Sequence, residues 1–245
     1  MITYSKHYRS SQEEIMDNFS LQGDELSLLL TDLRTVNSLL GGTTITLNGI
    51  KKLLEDWDKK KPVTILDLGC GDGEMLRQCS ALAKKKGFTF NLVGVDANKH
   101  IIAEAKNKSK DFKAISYTSF NIFQAIESDS EMLDCDIILC TLFLHHFNDE
   151  AIEAFLKKLS EKSKVGIIIN DLHRNRLAFT LFKVFSFFFI KTKIAKHDGL
   201  VSVARAFKKR ELQKLASNLN HKSTIKWRWA FRYQWIISTK HNLWQ

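Results

Sequence analysis

The chain is 245 residues long and carries 37 Lys and Arg against 27 Asp and Glu, a formal charge of +10, with four Cys and a single Pro. A hydrophobic share of 44% with 26% charged residues is a globular composition that excludes disorder, collagen and coiled coil, and the length holds one large domain or two small ones. Cys70, Cys79, Cys135 and Cys140 show no metal-ligand spacing, and the N-terminal MITYSKHYRSSQEE lacks the apolar stretch of a signal peptide, so the chain reads as a reduced, cytosolic protein.

In chain order, Leu26, Leu29, Leu30, Leu33, Val36 and Leu40 have the spacing of an amphipathic helix from Asp24 to Leu40, which Gly41 and Gly42 end. A second helix is expected from Gly49 to Trp57, capped by Asn48, with Ile50, Leu53, Leu54 and Trp57 on one face. From Pro62 onward short apolar runs alternate with helical stretches. Strands are predicted at Val63 to Leu68, Asn91 to Val95, Ile115 to Phe120, Asp136 to Thr141 and Val165 to Asn170, with helices at Glu74 to Lys86, Lys99 to Ser109 and Asp149 to Glu161. The link from Asn121 to Cys135 has no clear helical pattern. This alternation predicts an α/β fold whose parallel sheet is covered on both faces. An apolar helix from Leu177 to Ile190, a helix from Phe207 to Leu219 and an antiparallel pair, Ser223 to Tyr233 and Gln234 to Thr239, complete the reading. The expected organisation is N-terminal cap helices (1–61), a ligand-binding core (62–170), a helical insertion (171–206), and a final helix with closing strands (207–245).

The stretch ILDLGCGDGEML, residues 65–76, sends a buried strand into Gly69-x-Gly71-x-Gly73 and then into a helix, so that backbone without Cβ obstruction meets a ligand at the C-terminal end of the strand. Two acids accompany it. Asp67 precedes the first glycine, and Asp96 in VGVDAN ends the next strand, where a carboxylate is placed to take a ribose diol. A pyrophosphate loop has the form G-x-G-x-x-G; here the third glycine comes one residue early, and Asp67 and Asp72 bring negative charge. A cofactor with an amino acid portion and no phosphate fits better.

These residues resemble motifs I and II of the class I S-adenosylmethionine-dependent methyltransferases, the small-molecule type found in quinone, polyketide and pigment pathways. The likeness runs over 62–170 with the strands in order, and DIILCTLFLHHF is similar to the family's fourth-strand motif. It implies a Rossmann-like seven-stranded sheet, mostly parallel with an antiparallel last strand, and S-adenosyl-L-methionine as cofactor. By that likeness Asp67, Gly69, Cys70, Gly71 and Gly73 hold the amino acid end, Asp96 takes the ribose and Ala97 lies beside the adenine. Asn121 stands where the family often has an acid, and Thr141 and Leu142 flank the methionine portion.

Three histidines follow strand ends that open on the cofactor side: His145 and His146 after the fourth strand and His173 after the fifth, where Asp171 is placed to orient it as a general base. Adjacent side chains usually diverge, so at most one of His145 and His146 is expected to face the cavity. His197 lies in AKHDGLVS, read as a loop, and Arg174 and Arg205 are candidates to bind an acidic group on the acceptor, with Asp171 and His197 beside them. The N/D-P-P-Y motif of enzymes that methylate exocyclic amines is missing, and so are the paired acids of metal-dependent catechol methyltransferases; no catalytic metal is expected.

The charge is unevenly placed. Residues 1–170 hold 21 basic and 24 acidic residues, net −3; residues 171–245 hold 16 and 3, net +13, with 13 of the 26 aromatics. The 14-residue apolar run is too short to span a bilayer. It reads as a lid over an apolar pocket, as a helix packed on the core or on a second subunit, or as an interfacial helix in a peripheral membrane contact through 177–196, with Lys183, Lys191, Lys193 and Lys196 near head groups. TIKWRWAFRYQW alternates basic residues with Trp227, Trp229, Phe231 and Tyr233, which share one face if the strand is continuous. The function expected is methyl transfer to a small hydrophobic acceptor, phenolic, polyketide-like or quinone-like, with O-methylation ahead of C-methylation. The alternatives are an RNA methyltransferase using the basic third and a non-catalytic cofactor-binding scaffold.

Overall fold

The computed structural model describes residues 2–122 and 134–240, so most of the unclear link from Asn121 to Cys135 lies outside the described residues. A seven-stranded sheet forms the centre: β1 (Val63–Leu68), β2 (Phe90–Asp96), β3 (Ile115–Ser119), β4 (Cys135–Thr141), β5 (Ser163–Leu172), β6 (Ser223–Arg228) and β7 (Arg232–Ser238), in the order β3-β2-β1-β4-β5-β7-β6. Strands β1 to β5 run parallel, and β7 is antiparallel to both β5 and β6. The helices are α1 (Gly23–Leu39), α2 (Gly42–Leu53), α3 (Glu74–Lys86), α4 (Lys99–Lys108), α5 (Asp149–Lys162), α6 (Arg176–Phe189), α7 (Lys193–Arg205) and α8 (Lys209–Ser217), with 3-10 turns at Ile15–Asp17 and Leu144–His146.

The central strands are apolar throughout because both of their faces are covered. Leu66, Leu68, Ile138, Cys140, Ile167 and Ile169 point to one side and pack on Ile152, Phe155, Leu156 and Leu159 of α5 and Leu212 and Leu215 of α8. Val63, Ile65, Ile137, Leu139, Val165 and Ile168 point to the other, against Ile50 and Leu53 of α2 and Met75, Leu76 and Cys79 of α3. A smaller cluster joins Leu26, Leu29 and Leu30 of α1 to Ile101 of α4 and to Ile190, Ile194 and Ala195 at the α6–α7 junction.

Three local expectations are corrected. Helix α2 starts at Gly42, with Gly41 as its left-handed N-cap, and Asn48 lies exposed inside it rather than capping it. Its glycines serve close approach: a Cβ on Gly49 would stand 2.8 Å from Ile168 Cγ2 of β5, and one on Gly42 would meet the Arg232 guanidinium at 2.9 Å. The closing strands break at 229–231, not at 233, so Trp227 and Trp229 are exposed while Tyr233 is buried, and the four aromatics do not share a face. His197 sits in α7, not in a loop.

Candidate functional site

A cavity of about 770 Å³ opens over the C-terminal ends of β1, β2 and β4, where a parallel sheet presents its loops to ligands. Gly69, Gly71 and Gly73 all have positive φ, between 53° and 78°. Two of them need their missing side chains for different reasons. A Cβ on Gly73 would fall 1.9 Å from the Tyr117 hydroxyl, so that glycine lets the loop pack on β3 and does not line the cavity. A Cβ on Gly71 would meet nothing within 4 Å, so its backbone faces open cavity. The Gly71 N–H donates to Asp96 Oδ2 (3.2 Å) and the Asn98 N–H to Asp96 Oδ1 (3.0 Å), which fixes the carboxylate at the cavity wall.

Asp67 lines the same end and is 2% exposed, yet its carboxylate has no hydrogen-bond or ion-pair partner among the described residues. Burial, reinforced by the neighbouring Asp96, pushes it up to about 8. Burial also raises Asp96, against three backbone donors that lower it. A pair of acids in this state is a site for a cation.

Asp67, Gly69, Cys70, Gly71, Asp96, Ala97, Asn121, Thr141 and Leu142 all line the cavity. Leu142 does so in the left-handed region, φ 53°, a strained conformation for leucine, with its N–H donated to Asn170 O at 2.9 Å. Thr141 is tied to α2 through Thr46, hydroxyl to hydroxyl at 3.1 Å, and Asn170 donates to both Gly42 O and Thr46 Oγ1.

Both His145 and His146 border the cavity, because the 3-10 turn stacks their rings at 4.4 Å instead of sending them apart. His145 is buried between two carboxylates: Nδ1 lies 2.7 Å from Asp171 Oδ1 and Nε2 3.3 Å from Glu14 Oε1. Burial works against its charge, but Asp171 and Glu14 together raise it to about 9, so at neutral pH it is an imidazolium and cannot act as a base. Asp171 and Glu14 are both held below the usual carboxylate range by the histidines, against the opposing effect of burial. His146 places Nδ1 2.9 Å from Asp17 Oδ1 and Nε2 3.9 Å from Glu14 Oε2. Asp17 is lowered by His146 and Arg205 despite partial burial. Glu14, His145 and His146 bring one donor atom each within 4.8 Å of the others. A divalent ion there would have to displace the proton that two carboxylates hold on His145.

The roof is N-terminal, which sequence reasoning missed. Glu14, Met16, Asp17 and Phe19 join Leu30, Leu33, Arg34 and Asn37 of α1 and Thr43, Thr44 and Leu47 of α2 over the opening. Asp198 of α7 accepts the N–H groups of Ile15 (2.8 Å) and Met16 (2.9 Å), and Ser202 donates to Glu14 Oε1 (2.7 Å). The insertion expected to be a lid contributes only Ser202 to the lining.

Five assigned residues belong elsewhere. Arg174 forms a two-pronged ion pair with Glu211 (3.0 and 2.5 Å) and donates to Ala206 O, so it joins α8 to the strand end and has no charge left for an acceptor. Arg205 donates to the carbonyls of His145, His146 and Gln12; with Arg9, which donates to the carbonyls of His145 and Phe147, it clamps the histidine turn from behind. His173 packs beside Tyr233, 4.9 Å between ring centroids, outside the cavity lining, and burial lowers its pKa. His197 pairs with its neighbour Asp198 at 2.9 Å and is likewise outside the lining. Asp171 orients His145, not His173, and does not reach the cavity.

A family model for a methyltransferase domain matches residues 65–166. No curated protein matches the chain. Among solved structures, human N-acetylserotonin methyltransferase in complex with S-adenosylmethionine superposes with a TM-score of 0.63 at 16% identity, over 94% of this chain and 60% of that one. The plantazolicin methyltransferase, bound to a substrate analogue and S-adenosylhomocysteine, gives 0.59 at 13% identity over 89% and 97%. Magnesium protoporphyrin IX methyltransferase from Synechocystis, bound to S-adenosylhomocysteine, gives 0.53 at 17% identity over 83% and 85%. At such identities the likeness is one of fold.

Proposed function

The chain carries a methyltransferase domain on a class I fold, and from that premise we propose that it moves the methyl group of S-adenosylmethionine to a small lipophilic acceptor, a phenolic, polyketide-like or quinone-like hydroxyl ahead of a carbon. The observation that carries the reading is one cavity lined both by an unpartnered buried carboxyl group, Asp67, and by an imidazole held beside Asp17, that of His146.

When bound, S-adenosylmethionine supplies a methyl group activated by the positive charge of its sulfonium. The residues present fit it. Asp67 is a buried carboxyl group without a partner that would ionise to pair with the ammonium of the amino acid portion; Asp96, held by two backbone N–H groups, would take the ribose hydroxyls; and Gly71 leaves the space the ligand needs. Asp17 lies 2.9 Å from His146 Nδ1 and holds the ring at the cavity wall. His146 would accept the hydroxyl proton of a bound acceptor as its oxygen takes the methyl group that S-adenosylmethionine would supply. His145 stays protonated throughout. Met16, Phe19, Leu33, Leu47 and Phe147 supply the apolar wall against which a flat acceptor is aligned and water excluded.

The acid-rich lining disfavours a polyanionic substrate, and with it the nucleic-acid alternative. The test is transfer of labelled methyl from S-adenosylmethionine to a panel of phenols, polyketide-derived aromatics and quinols, with short RNA as the contrasting substrate. Label in an ether product of an apolar acceptor is expected. Label in RNA alone, or none with any acceptor despite tight cofactor binding, would overturn the reading.

A further inference from the structure

Helix α6 is built the wrong way round for a helix of a water-soluble surface. Its inner face is fully employed: Phe182 and Phe185 pack with α1 and α7, and Phe182 presses so closely on Gly199 that a Cβ there would lie 2.1 Å from the ring. Its outer face is the apolar one. Leu177, Leu181, Val184 and Phe188, spaced by four, three and four residues, form one stripe and are 57, 47, 54 and 71% exposed, with Phe187 at 74% beside them.

The helix is not loose. Asp32 of α1 accepts the N–H groups of Lys191 and Thr192 and the Thr192 hydroxyl at 2.7–3.2 Å, fixing the α6–α7 joint. The surroundings are basic: apart from Arg174, which Glu211 neutralises, residues 172–197 carry five Lys and Arg and no Asp or Glu, and Lys183, Lys191 and Lys193 are exposed around the stripe. No helix among the described residues is long and apolar enough to cross a membrane.

We propose that the outer face of α6 seats the protein on an anionic lipid bilayer, with Leu177, Leu181, Val184 and Phe188 in the boundary of the acyl region and the lysines at the head groups. Charge complementarity selects this occupant over a second copy of the chain. Two copies meeting through the stripe would bring the same lysines together with no acid from this segment to pair them, whereas an anionic head-group layer satisfies all of them. The seat has a bearing on the cavity, because α7, packed on α6, also holds the roof through Asp198 and Ser202. The cavity roof therefore sits one helix away from the lipid.

The experiment is co-sedimentation of the full chain with vesicles of phosphatidylcholine and phosphatidylglycerol in equal parts, and with phosphatidylcholine alone. The chain is expected to pellet with the mixed vesicles. Removing the charge of Lys191 and Lys193 should weaken the partition by roughly fivefold for each lysine. The double variant Leu181→Ser with Phe188→Ser, at two exposed positions, should keep its melting temperature and lose the pellet. Failure of the parent chain to bind mixed vesicles overturns the inference, and so does a stable dimer in solution that the double variant dissolves. Vesicle binding is read without cofactor or acceptor, so its failure leaves the methyl-transfer reading standing, and failure of that reading in calorimetry leaves this one.

Discussion

Two regions of the molecule carry opposite charge and divide its work. The cavity is lined by six acids, Glu14, Asp17, Asp67, Asp72, Glu74 and Asp96, and one base, Arg34, all from the first 170 residues. Asp72 and Glu74 are paired with Arg77, Asp72 also with Lys108, Glu14 with the imidazolium of His145 and Asp17 with Arg205, so the lining acids left without a cationic partner among the described residues are Asp67 and Asp96. The last 75 residues, net +13, give the lining one serine, Ser202. Net charge thus describes the outer shell and not the cavity, for which the proposed ligands are a cation and a neutral apolar molecule.

The sharpest way to break this division is at Asp67. Asp67→Asn removes the carboxyl group proposed to meet the cofactor's ammonium, and loss of one partner of a buried ion pair costs about 3 kcal/mol or more. Calorimetry should show S-adenosylmethionine affinity falling a hundredfold or more. The same change should raise the melting temperature of the cofactor-free protein. The folded-state pKa lies above the ordinary value, so ionisation penalises the fold progressively as pH rises from about 4 to about 8, and Asn abolishes that penalty. Below pH 8, binding to the parent should also release protons, giving a heat that varies with the buffer, and the variant should lose this dependence. Unchanged affinity in Asp67→Asn would remove the cation site from the comparison.

His146→Ala tests the other end. General-base removal is expected to lower kcat by about a hundredfold while leaving cofactor affinity within twofold of the parent. A loss of affinity instead would make His146 part of the cofactor site. A smaller effect is expected where α2 meets the sheet: Gly49→Ala places a Cβ 2.8 Å from Ile168 Cγ2 and should cost about 1–3 kcal/mol in denaturant unfolding. Because α2 carries Thr43, Thr44 and Leu47 of the wall, cofactor affinity should weaken with it.

Features whose cause is local were legible in the sequence. Strands β1, β4 and β5 announced themselves because burial on both faces demands unbroken apolar runs, and the glycine loop because positive φ at Gly69, Gly71 and Gly73 leaves little choice of residue. Features whose cause is tertiary were not. Gly42 read as the end of one helix and Gly49 as the start of the next, since nothing in the sequence says that a strand will press on a helix there. Glu14 and Asp17 lie in a polar stretch without periodicity and reach the cavity only because α7 holds their backbone. Arg174 and Arg205 looked like free charges, but Glu211 and a set of carbonyls already hold them. The apolar run of α6 gave the helix, with its ends shifted by one residue, but not the direction of its stripe.

The smallest effect is the most direct check on the division of charge. Lys214 on α8 and Lys226 on β6 are exposed and lie outside the cavity lining. At physiological ionic strength the screening length is about 8 Å, so their charge reaches the site only if the basic shell acts as a long-range field. The double variant Lys214→Gln with Lys226→Gln should change cofactor affinity by less than about twofold at ordinary salt. At tenfold lower salt, where screening weakens, it should tighten binding slightly, because two repulsive charges no longer act on a cationic ligand. A severalfold change at ordinary salt would mean that the shell and the cavity are one electrostatic unit. A weakening at low salt would carry more, since it would reverse the sign of the charge on the cofactor-binding species and would require an anionic ligand in a cavity lined by acids.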